Sequence, residues 1–203
     1  MRSRSLPRSF FARDSRELAP ALLNKVLERR AAGEPVLAAR IVEVEAYCGA
    51  DDAGSHAFRG QTPRNATMFG PAGHLYVYFT YGMHWCANVV AGEPGTASAV
   101  LLRAAAPLEG IELMRSRRPK ARHSRVRDRD LLSGPAKLCE AFGITGALDG
   151  ADLVRGEVRL LDDGTLPPAV PLVTTRIGLA AGKGDEHPWR FCVPGDPNLS
   201  RPS

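Results

Sequence analysis

The chain has 203 residues, of which 44% are apolar and 24% charged, with a formal net charge of +5. This is ordinary globular composition with enough length for one real core, which excludes a fibrous repeat, global disorder and a division into two small domains. Apolar runs such as Ala99 to Leu102 are far too short to cross a bilayer, so no membrane partner is expected, and the basic balance fits an anionic partner such as nucleic acid.

The N-terminus, MRSRSLPRSFFARDSR, is rich in Arg and Ser. Its apolar piece is broken by Arg13 and Asp14 and cannot serve as a secretory h-region. Residues 1–14 read as a short flexible basic arm, and 15–203 as the single domain of a protein that is not secreted. The expected location is cytoplasm or nucleoid in a bacterium, nucleus or organelle in a eukaryote. The cysteines (Cys48, Cys86, Cys139, Cys192) lie far apart with no C-x-x-C pair, so they read as small buried hydrophobes of a reducing compartment, and no metal site or cofactor is expected.

Ser15 to Leu23 predicts a helix, capped by Ser15, with Leu18 and Leu22 on one face and Asn24 as an αL stop; Pro20 works against it. Val26 to Arg30 and Val36 to Glu45 predict a hairpin across a turn with Gly33 and Pro35, its second strand turning acidic at the end. Cys48 to Gly73 carries many breakers and predicts a long loop, of the kind that is usually functional. His74 to Thr80 alternates as a strand with Tyr76 and Tyr78 on one face, Tyr81-Gly82-Met83 turns, Trp85 to Val90 returns, and Ala97 to Ala104 adds a third strand. The core is thus an antiparallel meander.

Pro107 predicts the start of a helix running through Arg118. Arg115 to Arg129 holds eight basic side chains against one acid and reads as a solvated flexible loop. Ser133-Gly134-Pro135 opens a helix, Ala136 to Phe142, stopped by Gly143, whose N-terminus with Lys137 suits a phosphate. Short strands at Glu157 to Asp162, Val173 to Leu179 and Trp189 to Val193 close the sheet. The fold class is α+β: one domain, a curved antiparallel sheet with a protruding β-hairpin and several flanking helices.

All four tyrosines (Tyr47, Tyr76, Tyr78, Tyr81) fall between Ile41 and Asn88, which suggests a surface that holds planar rings. Glu45 precedes Tyr47 by two residues, so both side chains leave the strand on one side, where a carboxylate can act as general base on a water. Glu43 points the same way, roughly 6.6 Å away along the strand, and the two could form a glycosidase-like pair. Tyr81 and Met83 at a hairpin tip have the character of wedge residues that enter a duplex.

The segments IVEVEAYCG, GSHAFRGQTPRNATMFGPAGHLYVYFTYGMHWCANVV, AVLLRAAAPLEGIELMR and LLSGPAKLCEAFGI closely resemble the alkyladenine (3-methyladenine) DNA glycosylase family of single-domain, mixed α/β type. The resemblance implies a monofunctional glycosylase of base excision repair, working as a monomer. It would flip damaged purines, alkylated or deaminated, from double-stranded DNA and hydrolyse the N-glycosidic bond to leave an abasic site. It implies that Glu45 activates the attacking water, with Arg103, near the flipped nucleotide's backbone, as its catalytic companion. Tyr47, His56 and Tyr78 would wall the flipped base, and Asn88 would sit at the pocket floor and crowd the amino group of normal guanine. Tyr81 would fill the vacated stack, and Met83, Thr62, Arg64, Met68, Ser133 and Lys137 would face DNA. Gln61 stands where many relatives carry a basic residue and Ala87 where a larger apolar one is common, which bears on substrate breadth. Two other readings compete: a binder of damaged DNA without hydrolysis, and a carbohydrate hydrolase using Glu43 and Glu45.

Overall fold

The computed structural model describes residues 3–118 and 126–201. Among the described residues nine strands form one antiparallel sheet, curled into a half-barrel. In chain order they are β1 (Arg4–Ser5), β2 (Val26–Arg29), β3 (Leu37–Cys48), β4 (Leu75–Thr80), β5 (His84–Ala91), β6 (Ser98–Glu109), β7 (Val158–Asp162), β8 (Leu172–Thr174) and β9 (Arg190–Cys192). The spatial order is β1-β7-β2-β3-β6-β5-β4, so the expected meander of β4, β5 and β6 forms one wing.

The centre of the sheet is β3. Along one edge it pairs with β6; along the other it pairs first with β2, through Leu37 to Arg40, and then with β9, through Glu43 to Glu45. Ladders on both edges leave its acidic end with no open backbone, and the side chains of Glu43 and Glu45 are both fully buried, with Ser200 bonded to the first and Ile177 to the second. Register shifts beside Glu43 on the β6 edge mark bulges, and bulges bend a strand and increase its twist.

Helices cover one face. The expected first helix is α2 (Ser15–Leu22), following a single turn α1 (Arg8–Phe11); Leu18, Ala19 and Leu22 of α2 are buried. Its cap is Asp14 rather than Ser15, the Asp14 carboxylate accepting from the Arg16 amide, and Asn24 takes the expected left-handed turn. The helices α3 (Ile111–Arg117) and α4 (Pro135–Phe142) contribute Met114, Leu138 and Phe142 to the same core, and Gly143 ends α4 in the αL conformation.

Three expectations need correction. Pro107 does not open a helix: β6 continues to Glu109, with Pro107 opposite Ala39, and α3 begins only after Gly110 at φ 76°. Because β5 pairs with β6 only as far as Leu101, the strand at Pro107 lacks a ladder on that side, where a missing N–H is tolerated. The arm over residues 1–14 packs onto the domain between residues 4 and 11. There β1 pairs with β7, Phe11 is buried, and the Arg8 guanidinium donates to Ala72 O, Gly73 O and Asp152. Finally, of Val173 to Leu179 only the start is strand, the remainder being a loop that returns over the site.

The basic run falls partly on residues 119–125, which lie outside the described residues. Its flanks are ion-paired rather than freely solvated: Arg115 with Asp128, Arg117 with Glu34, Arg118 with Glu140 and Arg127 with Asp130. Cys86, Cys139 and Cys192 are buried and Cys48 half-buried, all as free thiols. No helix among the described residues is long and apolar enough to cross a membrane.

Candidate active site

A cavity of about 310 Å³ opens where β3, β4, β5 and β6 meet the 175–179 loop, walled by Tyr47, His56, Tyr76, Tyr78, Asn88 and Arg103 among others. Strand alternation brings Tyr76 and Tyr78 to one face, with ring centroids 5.6 Å apart and planes 30° from parallel. His56 comes from the long loop. Its ring packs edge-on to Tyr78 at 4.3 Å, and its Nδ1 lies 3.1 Å from the Tyr76 hydroxyl. Desolvation against these rings, and then the nearby Arg64, lowers the His56 pKa, so the imidazole is neutral at pH 7. Burial pushes the Tyr76 hydroxyl up to about 12 and Tyr78 higher still, so both rings stay uncharged. Asn88 donates its amide to Tyr76 O at 3.2 Å, which fixes the floor.

Glu45 lies immediately behind this wall, enclosed by three lining residues. The Tyr47 hydroxyl donates to its Oε2 at 2.9 Å, Arg103 Nη1 donates to the same oxygen at 3.2 Å, and the Ile177 amide donates to Oε1 at 2.7 Å. Glu43 is held differently: it accepts from Arg103 Nε at 2.8 Å, from Arg190 Nε at 2.8 Å, and from both the amide and the hydroxyl of Ser200.

The two carboxylates therefore titrate in opposite directions. For Glu45 burial dominates and raises the pKa, against the pull of Arg103, Ile177 and Tyr47. For Glu43 burial also acts upward, but the hydrogen bonds from Arg190 and Ser200 and the charge of Arg103 outweigh it and hold the pKa below the usual range. A carboxylate whose charge is under-compensated beside a cavity suits proton transfer, whereas one saturated with donors suits structure. Of the two, Glu45 is the one held by residues that line the cavity, Tyr47, Arg103 and Ile177.

The family description Methylpurine-DNA glycosylase (MPG) matches residues 9–197. The chain belongs to the methylpurine-DNA glycosylase family. Its enzyme class is accordingly that of a hydrolase acting on N-glycosyl compounds, a DNA glycosylase. Among its relatives, a protein of Burkholderia lata named "Putative 3-methyladenine DNA glycosylase" is 53% identical over 199 residues, covering 97% of this chain and 91% of that protein. Proteins of the same name from Streptomyces avermitilis (48% identical, 96% of this chain and 90% of that protein) and Carboxydothermus hydrogenoformans (46%, 97% and 98%) are similar over the same extent.

In this glycosylase the residues singled out from sequence do not all converge. Tyr47, His56, Tyr78, Asn88 and Arg103 line the cavity, with Glu45 directly behind. Tyr81 stands at its rim, 82% exposed, and Met83 is exposed beside it at the tip of the β4–β5 hairpin. Arg64 and Thr62 lie on the exposed loop near that hairpin, Arg64 donating to Phe79 O and Thr62 donating to the Asn65 side chain. Met68 does not face outward as expected: it is buried with Ala57 and Tyr76 and touches the cavity from beneath. An apolar thioether gains more there than in water. The Ser133 hydroxyl is also buried, accepting from Lys137 Nζ at 3.0 Å and donating to Asp130 O. Both residues border a shallow groove with Arg127 and Arg129, separate from the cavity.

Sequence reasoning missed Asp52, Arg176, Ile177, Gly178, Leu179, Arg190 and Ser200. The last six come from the C-terminal third of the chain, far from the tyrosine segment. One signal was available: Arg176 precedes the apolar Ile177-Gly178-Leu179, and a cation in such a setting needs a buried carboxylate.

Proposed function

We propose that this glycosylase excises damaged purines from double-stranded DNA by taking the nucleotide out of the stack and hydrolysing its N-glycosidic bond with a water activated by Glu45. Glu45 carries the reading: a fully enclosed carboxylate with raised proton affinity, directly behind the ring-walled cavity. A flipped base would lie against Tyr47 and Tyr78. Cationic alkylpurines gain about 0.5–2 kcal/mol from such rings and leave readily once the bond stretches. Water delivers its oxygen to C1′ and its proton to Glu45, while the bonding pair departs with the purine and an abasic site remains. The ionised Glu45 offsets the positive charge that develops on the sugar. Arg103 keeps the carboxylate aimed, through its bond to Oε2.

A carbohydrate hydrolase using both glutamates is disfavoured, because Glu43 is saturated with donors from Arg103, Arg190 and Ser200. The test is a panel of duplexes, each with one lesion, assayed for free base. Release from at least one alkylated or deaminated purine, without strand cleavage, is the expected result. Tight lesion binding with no release from any member of the panel would leave only a damage binder.

Tyr81 is proposed as the wedge that fills the vacancy. It and Gly82 both have positive φ (50° and 63°) in a tight turn closed by the Met83 amide on Thr80 O, a conformation that a bulky residue rarely adopts. Such strain, of order 1–3 kcal/mol, persists where a side chain is held for use. Tyr81→Gly is therefore expected to keep or raise the melting temperature while slowing base release from duplex at least tenfold. Release from the same lesion in single-stranded DNA should be far less affected. Equal losses on both substrates would rule out the wedge.

A further inference from the structure

The chemistry above gives no role to Arg176, one of the most completely enclosed cations of the protein. Its guanidinium forms a two-pronged ion pair with the equally enclosed Asp52, Nη1 to Oδ2 at 2.6 Å and Nη2 to Oδ1 at 2.7 Å. Nη1 also donates to Ala46 O and Nη2 to Gly184 O, at 3.0 and 2.8 Å. Enclosing an ion pair is not stabilising in itself, since desolvation of both charges offsets their attraction. What the pair holds in place accounts for it better.

Three parts of the site meet at this guanidinium. Its carbon lies 4.6 Å from the ring centroid of Tyr47 and 4.9 Å from that of Trp189. Tyr47 reaches the cavity and Arg176 does not, so the cation backs the far face of the ring. The next residue, Ile177, turns its amide onto Glu45 Oε1, and Ile177 to Leu179 wall the cavity. Asp52, for its part, anchors the loop that carries Gly54 and leads to His56. A Cβ on Gly54 would come within 3.0 Å of Arg176 Nη2 and one on Gly184 within 2.5 Å, so both glycines leave room for the fork.

We propose that Arg176, locked by Asp52, is a positioning residue for base release, holding the Ile177 amide on Glu45 and the Tyr47 ring against the cavity. This rests on Glu45 being the group that activates water. Charged groups that face Glu45 from the sheet are Arg103, Glu43 and, opposite it on β9, Arg190. Neutral titratable ones are Tyr47, Tyr78, Cys86 and Cys192. Arg176 also faces Glu45 as a charge, and of the other groups Tyr47 alone touches it, so a change at Arg176 reaches Glu45 through its charge as well as through Tyr47 and Ile177. Loss of the Ile177 donor leaves the burial of Glu45 less opposed and moves its titration upward.

The test compares wild type, Arg176→Lys, Arg176→Met and Asp52→Asn in single-turnover base release across pH, on the lesion that wild type releases fastest. The expected order of plateau rates is wild type, then Lys, then Met, with Met at least tenfold down. The acid limb should shift to higher pH in the same order, and Asp52→Asn should behave like Lys. Should Arg176→Met fail to fold, Arg176→Lys and Asp52→Asn carry the same measurement. A lower melting temperature with plateau and acid limb unmoved in those two variants would make Arg176 merely structural and overturn the proposal. Glu45→Gln separates the two ideas. If it still releases base at the wild-type rate, the role of Glu45 falls; if it is inactive while the Lys and Asn variants match wild type, only the positioning role falls.

Discussion

Glu45→Gln should lower base release by ~10²–10⁴-fold or more, the span a general base contributes, while lesion-duplex binding stays within a few-fold of wild type. The melting temperature should be unchanged or higher. Gln keeps the shape and an oxygen for the Ile177 amide, and its NH₂ can donate to the Tyr47 oxygen; the Arg103 Nη1 bond to Oε2 is lost, while Arg103 keeps its bond to Glu43. The raised pKa fixes the sign of the stability effect: the folded protein holds the Glu45 proton more tightly than the unfolded chain does. At neutral pH the ionised carboxylate therefore works against folding, and removing its charge relieves that cost. The same shift fixes the pH profile. The base must be ionised, so release should fall as pH drops through a value above the ordinary 4.5 of a glutamate, and Glu45→Gln should leave no residual activity with that acid limb. Retained base release in Glu45→Gln, or a variant that is inactive because it melts tens of degrees lower, would remove Glu45 from the base role.

The part of the fold that the sequence makes legible is the part built from local pattern. Alternation identifies β4 and β5, the breakers identify the long loop, and Gly143 marks the end of α4, because each is specified within a few residues. Pro107 misleads because its tolerance in β6 depends on where β5 stops, a relation between residues more than ten positions apart. The site follows the same division. Glu45 and Tyr47 lie two positions apart on one strand, so residue type and spacing pair them, whereas Tyr78, 31 positions beyond Tyr47, is tied to them in the sequence by the family resemblance. Ile177, Arg190 and Ser200 reach the two glutamates from 132 to 157 positions away, and only the folded chain reveals them. Met68 carries a related lesson: a residue type at home on a DNA-facing loop is also at home beneath a cavity, and the long-range contact with Tyr76 decides between the two.

Glu43→Ala should destabilise the protein by about 3–5 kcal/mol, the range for removing one member of a buried ion pair. In a chain of this length that corresponds to a melting temperature lower by about 6–20 °C. Glu43 has no exposed surface, and its loss strips partners from Arg103 and Arg190, both almost fully buried, and from the Ser200 hydroxyl and amide. Arg190 already has one buried nitrogen, Nη2, without a hydrogen-bond partner among the described residues, so a second loss is costly. The lowered pKa of Glu43 fixes the pH dependence. Its contribution is fully present above the unfolded value of 4.5 and is lost as pH falls through its lower folded pKa. The gap in melting temperature between wild type and Glu43→Ala should therefore be widest near neutrality and narrow below pH 4.5, where the milder Glu43→Gln should converge with wild type first. Base release measured well below the melting temperature should fall far less in Glu43→Gln than in Glu45→Gln. If instead Glu43→Gln melts like wild type and loses base release to the extent that Glu45→Gln does, the two carboxylates have been assigned the wrong way round. Two glutamates two positions apart on the same strand then differ in the donors that the rest of the fold delivers to them, Arg103, Arg190 and Ser200 for Glu43 against Tyr47, Arg103 and Ile177 for Glu45, and the proposed division of roles rests on that difference.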